Sequence, residues 1–394
     1  MKETIGSMEP LLPPEDARDL NDLALDLVSK SSAFAGMLNP VVASSVGDLV
    51  RSMNCYYSNL IEGHDTHPHD IDRAIAQDYS NEPEKRALQK EAVAHIAVQK
   101  MIDEGEAPAV SPLSSEYGRW IHREFCDRMP EELLWVENPD TGEKIKVIPG
   151  VHRKKNVRVG RHIPPNPENL DMFLKRYDEA YDAMRLSKLQ CITSVAASHH
   201  RYVWIHPFLD GNGRVVRLMS YAAFKNINVG SELWSVARGL ARQKDEYRRI
   251  LQVADAPRQG DLDGRGALSQ KALVKFCEFF LKTCIDQVEY MNNLLDFKVF
   301  SERMRIHVEE MVAMKKLPKG SYALLREALL IGDFQRGKAQ EITGFKDRAA
   351  REVLYALVKK GLLVSDTPRG PVRLGFPIDV VERWFPLLYP GTRR

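Results

Sequence analysis

A single stretch dictates the layout of this chain: His206-Pro207-Phe208-Leu209-Asp210-Gly211-Asn212-Gly213-Arg214-Val215-Val216-Arg217. A helix rich in Ala and His is predicted over Lys188–Val203, and a second begins near Asn212. Proline at 207 and glycines at 211 and 213 prevent the first helix from running into the second. Asn212 is of a type that caps a helix N-terminus. A glycine-rich loop entering a helix presents backbone N–H groups and the positive end of the helix dipole, which together form an anion site suited to phosphate. Whatever the chain does, it folds around a helix–loop–helix that exposes such a site.

The side chains in the stretch complete a chemistry. Arg214 and Arg217 are three apart, on one face of the first helical turn, and both are expected to point toward one anion. Asp210 places a carboxylate beside them, where Mg²⁺ accompanying phosphates would sit. His206 is the neighbouring group that titrates near neutral pH and so is the candidate general base. The stretch resembles the Fic family signature H-P-F-x-D/E-G-N-G-R-x-x-R at every fixed position. The resemblance implies AMP transfer from ATP to a Tyr, Thr or Ser hydroxyl of a protein, or of the chain itself. In that reading His206 deprotonates the hydroxyl, Asp210 holds Mg²⁺, and Gly211, Asn212 and Gly213 cradle the phosphates. Arg214 would bind the β-phosphate, Arg217 the γ-phosphate, and Phe208 would point inward to anchor the loop. Glycine rather than lysine at 213 is similar to the adenylylating members. Fold and loop do not choose the leaving group, so another nucleotide donor stays open.

Two further segments extend the resemblance. Ser58-Asn59-Leu60-Ile61-Glu62-Gly63 closes a predicted N-terminal helix and resembles the family's inhibitory motif S/T-x-x-x-E-G/N. Ser58 and Glu62 are four apart and share a helical face, so the hydroxyl could hold the carboxylate in one rotamer. The resemblance implies that Glu62 pairs with Arg217, occupies the γ-phosphate position and restrains the enzyme in cis, a bias between closed and open states. Residues 150–165 resemble the family's flap, a hairpin that docks a target segment by strand addition, here through Val157, Arg158, Val159, Gly160 and Arg161. That stretch is basic and would favour a target with acidic neighbours, although a solvated hairpin without preference fits equally well.

The remaining pattern is mainly helical. Residues 1–16 read as a loose lead-in. Two helices are predicted within Asn21–Ile61, broken near Asn39-Pro40, and others at Asp70–Gln77, Pro83–Glu104, Ser114–Arg128, Pro167–Arg185, Ser231–Ala254 and Gln270–Asn293. Short strands are predicted at Leu134–Val136 and Lys144–Val147, joined by a turn at Asn138-Pro139-Asp140-Thr141-Gly142. After a linking helix over Phe297–Met314 come three short helices, Tyr322–Leu330, Arg336–Ile342 and Asp347–Lys360, then strands at Leu362–Val364 and Val372–Leu374. That order is a winged-helix pattern. The expected fold is therefore mainly α: an N-terminal helical region over 1–113, a Fic core with a small flap hairpin over 114–296, and a linking helix with a winged helix-turn-helix domain over 297–394.

Charge separates the last part from the rest. From Lys315 to Arg394 there are 16 Lys and Arg against 8 Asp and Glu, whereas the other residues hold 40 against 46. A basic winged helix, with Arg348, Arg351, Lys359 and Lys360 on its third helix and Arg369 and Arg373 in the wing, suits DNA. The alternative function is accordingly a DNA-binding transcriptional regulator with the Fic core as nucleotide sensor; the same module also serves as a protein-docking or dimerising unit. The five cysteines are scattered, odd in number and without a C-x-x-C pair, which suggests free thiols. With no signal-peptide pattern and no membrane-length apolar run, the expectation is a cytoplasmic protein with no membrane partner. A family habit of dimerising implies a homodimer. His64, His67 and His69, with Asp65, Asp70 and Asp72, fit no structural zinc spacing. His199, Cys277 and Cys284 read as core, and the glycines near Asp261–Ser269 as a tight turn.

Overall fold

The computed structural model describes residues 3–137 and 142–389, so the turn residues 138–141 lie outside the described residues. Sixteen helices and five short strands follow one another among them. The first part holds α1 (Arg18–Met37), α2 (Pro40–Glu62), α3 (Pro68–Ile75), α4 (Pro83–Asp103), α5 (Ser115–Cys126), β1 (Trp135–Glu137) and β2 (Lys144–Lys146). Then come α6 (Leu170–Ala180), α7 (Lys188–Ile205), α8 (Asn212–Asn226), α9 (Val236–Arg242), α10 (Lys244–Ala254) and α11 (Gln270–Leu295). The last part holds α12 (Phe297–Ala313), α13 (Ser321–Ile331), β3 (Asp333–Phe334), α14 (Ala339–Thr343), α15 (Asp347–Lys359), β4 (Leu363–Val364), β5 (Val372–Leu374) and α16 (Ile378–Trp384). Contacts group the chain into two units, Met1–Ser32 with Asn54–Gln287, and Ala33–Met53 with Val288–Arg394. The division falls inside α1, α2 and α11, so the helices expected to form one N-terminal region are shared between the units.

The larger unit is built on α7 and α8. Both are buried almost all round, from Ile192 to Ile205 and from Arg214 to Phe224, as a central helix pair should be. Ser187 starts α7 with a capping box: its hydroxyl accepts from the Gln190 N–H while the Gln190 side chain accepts from the Ser187 N–H. Ser114 caps α5 through the Tyr117 N–H. Strands β1 and β2 pair antiparallel with Val136 opposite Ile145. The expected helix over 167–185 is instead a 3₁₀ turn at Pro167–Asn169, α6, and a second 3₁₀ turn whose N-cap is Asp182. The expected helix over 231–254 is likewise divided, because the Ser235 hydroxyl accepts from the Arg238 N–H and starts a new helix. The lead-in is not loose from Glu3 onward. Met8 and Leu11 are buried, and the Glu3 carboxylate accepts from the Asn166 N–H and the Asn169 amide. The Glu9 and Pro10 carbonyls accept from the Leu268 N–H and the Arg201 guanidinium.

In the smaller unit α13, α14 and α15 adjoin a three-stranded antiparallel sheet in the order β3-β5-β4. Leu324, Leu325, Val353, Leu357, Leu363, Val372 and Leu374 are buried there. Strand β3 is an addition to the sequence expectation, and Arg336–Ile342 is a 3₁₀ turn running into α14 rather than one helix. Among the described residues no single helix is long and apolar enough to cross a membrane.

Candidate active site

The break between α7 and α8 is held from inside. His206 ends α7 in the left-handed region, φ 51°, and its N–H still reaches the Tyr202 carbonyl at 3.0 Å. Phe208 is fully buried and lies flat on His122 of α5, with ring centroids 3.8 Å apart and planes 6° from parallel. Asn212 does not cap α8 as its type suggested. Gly211 holds that position, at φ 80°, and the Asn212 side chain turns back to bond both the N–H and the carbonyl of Phe208. The amide thus closes the loop on itself, and the helix start is left with a residue that has no side chain to cover it. His122 Nδ1 accepts the Gly150 N–H at 2.9 Å, so its own proton is on Nε2, and burial pushes its pKa down to about 4. A Cβ on Gly211 would meet the His122 ring at 3.6 Å.

The two arginines do not converge on one point. Arg214 is buried, with one guanidinium nitrogen on Glu91 of α4 and another 3.0 Å from Asp210. Burial opposes its charge, but Asp210, Glu91 and Glu62 outweigh that and raise its pKa. Arg217 is buried against the end of α2: Nε donates to the Ser58 hydroxyl at 2.9 Å, and Nη2 donates to the Ser58 carbonyl and pairs with Glu62. The Ser58 hydroxyl therefore holds Arg217, not the Glu62 rotamer, because both residues face the same guanidinium. Burial works against the Glu62 carboxylate, yet Arg217 and then Arg214 bring its pKa below the ordinary glutamate value. Its carboxylate lies directly over Gly213, where an added Cβ would collide with it. A Schellman closure ends α2 here, with Gly63 at φ 98° and the Gly63 and His64 N–H groups on the Leu60 and Asn59 carbonyls.

His206 is partly buried, and Nδ1 has no partner in hydrogen-bond geometry. Burial, and then the charge of Arg153, push its pKa down to about 4, so the imidazole is neutral at pH 7. Asp210 is half-exposed at 50% of its side chain, beside the start of α8. The segment expected as a hairpin flap holds a single bridge, Val159 with His162, turned at Gly160 with φ 58°. Beyond that bridge Pro164 and Pro165 have no N–H to donate to a ladder, and Arg153, at the base of the segment, donates to the carbonyls of Lys155 and Pro165. Val157 is half-buried, and Arg158, Val159, Gly160 and Arg161 are exposed. The His162 Nε2 donates to the Trp204 carbonyl at 2.7 Å and ties the turn to α7. Behind it a cavity of about 340 Å³ is lined by Val159, His162, Val203, Trp204, Arg248 and Gln252, among others.

Three residues in this centre were not singled out from sequence: Glu91, His122 and Arg153. His64, weighed there only against a zinc spacing, has Nδ1 2.8 Å from Glu91. For Glu91 a signal existed, since it shares the apolar stripe of Ala87, His95 and Val98, where an unpaired charge would be costly. His199 is a packing residue as read, bonded to Ser220 and Tyr247. No group of three or more metal-binding side chains occurs among the described residues.

Residues 112–223 match the Fic/DOC family. The protein adenylyltransferase Fic of Drosophila erecta is 40% identical over 89 residues, 23% of this chain and 18% of that protein. The protein of the same description in Drosophila melanogaster is 40% identical over 120 residues, 30% of this chain and 24% of that protein. The chain thus spans a quarter or less of the length of these curated relatives. Among solved structures, a Fic family protein from Desulfovibrio desulfuricans G20 aligns with a TM-score of 0.50 at 16% identity, covering 89% of this chain and 95% of that one. At that identity the likeness is one of fold.

Proposed function

Through its Fic domain at residues 112–223 the chain belongs to the Fic family, and on that premise we propose that it is a protein adenylyltransferase restrained in cis by Glu62. One observation carries the reading: a helix N-terminus opened by Gly211 gathers a neutral His206, the half-exposed Asp210 and two buried arginines. ATP would lay its phosphates along Gly211, Asn212 and Gly213, with Arg214 and Arg217 on the β- and γ-phosphates. His206 would take the proton from a Tyr, Thr or Ser hydroxyl of a protein as that oxygen attacks the α-phosphorus. The new P–O bond forms as the bond to pyrophosphate breaks, and AMP stays on the hydroxyl. Asp210 offers one carboxylate at the phosphate site, and a single carboxylate together with substrate phosphates is the set that suits Mg²⁺. When bound, the ion would supply neutralisation of the phosphate charge. The cavity beside Trp204 would take the base, and the exposed turn at 158–161 would dock the target segment by backbone bonds.

Glu62 supports the regulatory half of the reading, because its carboxylate lies over Gly213 and holds Arg217 where a γ-phosphate would need both. The test incubates wild type, Glu62→Gly and Glu62→Gly/His206→Ala with Mg²⁺ and ATP labelled at the α-phosphate. Label is expected at least tenfold above wild type in Glu62→Gly and absent from the double variant. Label that persists without His206 would remove it as the base, and label equal in the first two would remove Glu62 as the restraint. No label with ATP but label with another nucleotide would reassign the donor.

The smaller unit favours a second role. Its three helices and β3-β5-β4 sheet support the winged-helix reading, and α15 exposes Arg348 and Arg351 at 93% and 76% of their side chains. Both pair with carboxylates of their own helix, Glu352 and Asp347, so only a stronger anion would recruit them. Salt-sensitive, sequence-specific binding in a gel shift with DNA upstream of its own gene would establish a DNA-binding role; binding with no sequence preference would leave the unit a docking module.

A further inference from the structure

We propose that Arg153 is a positioning residue that registers the His206 base against the target-docking turn, an inference that rests on the transferase reading above. Arg153 is only 3% exposed, and among the described residues no carboxylate forms an ion pair with it. A buried guanidinium with no carboxylate in contact is costly, and burial lowers the Arg153 pKa with the Glu3 charge opposing it without an ion-pair contact, so its hydrogen bonds must account for its presence. They all go to backbone carbonyls. Nε donates to the His206 carbonyl at 2.8 Å, and Nη2 to the carbonyls of Pro165 at 2.5 Å and Ile205 at 3.4 Å. Nη1 donates to the Lys155 carbonyl at 3.1 Å, and the Arg153 N–H itself donates to the Pro207 carbonyl at 2.8 Å.

Those partners fall into two groups. Ile205, His206 and Pro207 are the chain end of α7, where carbonyls lose their helical partners and carry the negative end of the dipole. Lys155 and Pro165 bracket the turn at Val159–His162. One rigid fork therefore joins the residue that bears the base to both feet of the segment that would present the hydroxyl. His206 also needs such a hold, because a non-glycine residue at φ 51° is strained and stays there only when its surroundings fix it. Lysine has one compact charge and could not reach four carbonyls in two directions. The same positive charge beside the imidazole helps to keep it neutral.

The test uses the full chain carrying Glu62→Gly, with Arg153→Lys and Arg153→Met added separately. In both variants kcat for AMP transfer is expected to fall at least tenfold while KM for ATP stays within twofold, since Arg214 and Arg217 are untouched. His206 titrated by NMR of ¹³C-labelled histidine, without nucleotide, is expected to show a raised pKa in Arg153→Met and an unchanged one in Arg153→Lys. Should Arg153→Met not fold, the Lys variant decides alone through the split between kcat and KM. An unchanged kcat in a folded variant, or a loss shared equally with KM for ATP, overturns the proposal. If the Glu62→Gly parent transfers no AMP, the transferase reading fails; the NMR titration then decides for Arg153, and an unmoved His206 in Arg153→Met overturns it.

Discussion

Glu62 and His206 are each held in the protonation state that their proposed roles require, by opposite means. Glu62 is ionised because Arg217 outweighs its burial, and His206 is neutral because burial and Arg153 act together. A carboxyl lowered by its partner keeps that pair above the ordinary carboxylate range and loses it only as pH falls through the lowered value. The excess transfer of Glu62→Gly over wild type is therefore expected to be the same at pH 6, 7 and 8, measured by AMP incorporation; a restraint that weakened over that range would point to another titrating group. For His206 the sign is similar: with a pKa of about 4 the base is lost only in acid. In the Glu62→Gly enzyme kcat/KM is expected to be flat from pH 6 to 8, and an acid limb centred near 6.5 would mean that the free imidazole is solvated. Both residues were legible in the sequence, as members of a contiguous motif and of a helix ending in Glu-Gly. Their partners were not, with the exception of the Glu62–Arg217 pair that the family resemblance implied.

At the scale of elements, the site depends on two helix ends and one loop. The loop is pinned by Phe208 between α7 and α8, stacked on His122. Phe208→Ala is expected to cost about 3–5 kcal/mol, as for other buried aromatic truncations, read as a lowered midpoint in denaturant. The end of α2 is held by more than Glu62. Lys244 of α10 donates to the Leu60 carbonyl at 2.8 Å and Arg248 to the Ile61 carbonyl at 3.3 Å, cations at the negative end of a helix dipole. Lys244→Ala is expected to loosen that end and raise AMP transfer by wild type severalfold, with little effect in the Glu62→Gly background. An equal gain in both backgrounds would place Lys244 outside the restraint. The start and stop of α2 could be read from Pro40 and Gly63, which act locally through φ and the missing Cβ. That the expected helix at 231–254 divides could not, because the dividing bond comes from a serine that is equally at home inside or outside a helix.

For the molecule as a whole, acid sensitivity is the clearest consequence of how the larger unit is packed. Burial holds His95 down at about 3 and His122 and His206 at about 4, and lowers His199 and His200 as well. The unfolded chain binds protons at these histidines near the ordinary 6.5 while the folded chain does not, so stability falls as pH drops through that window. Each contributes up to about 1.4 kcal/mol per pH unit there, while His64, raised by Glu91, acts in the opposite direction. The melting temperature is expected to fall between pH 7 and pH 5, well before carboxylates protonate, and His95→Phe should flatten that slope by one histidine's share; an unaltered slope would mean that His95 is reached by water. The helical class, the break at 206–213 and the residues of the proposed anion site were readable from sequence alone, because periodicity, proline, glycine and motif spacing all act over a few residues. Only the tertiary structure decided that Arg214 meets Glu91 at a separation of 123 residues, or that Arg153 reaches back from 53 residues before His206. A buried charge takes whichever partner packing delivers to it, and no local rule carries that choice across such distances.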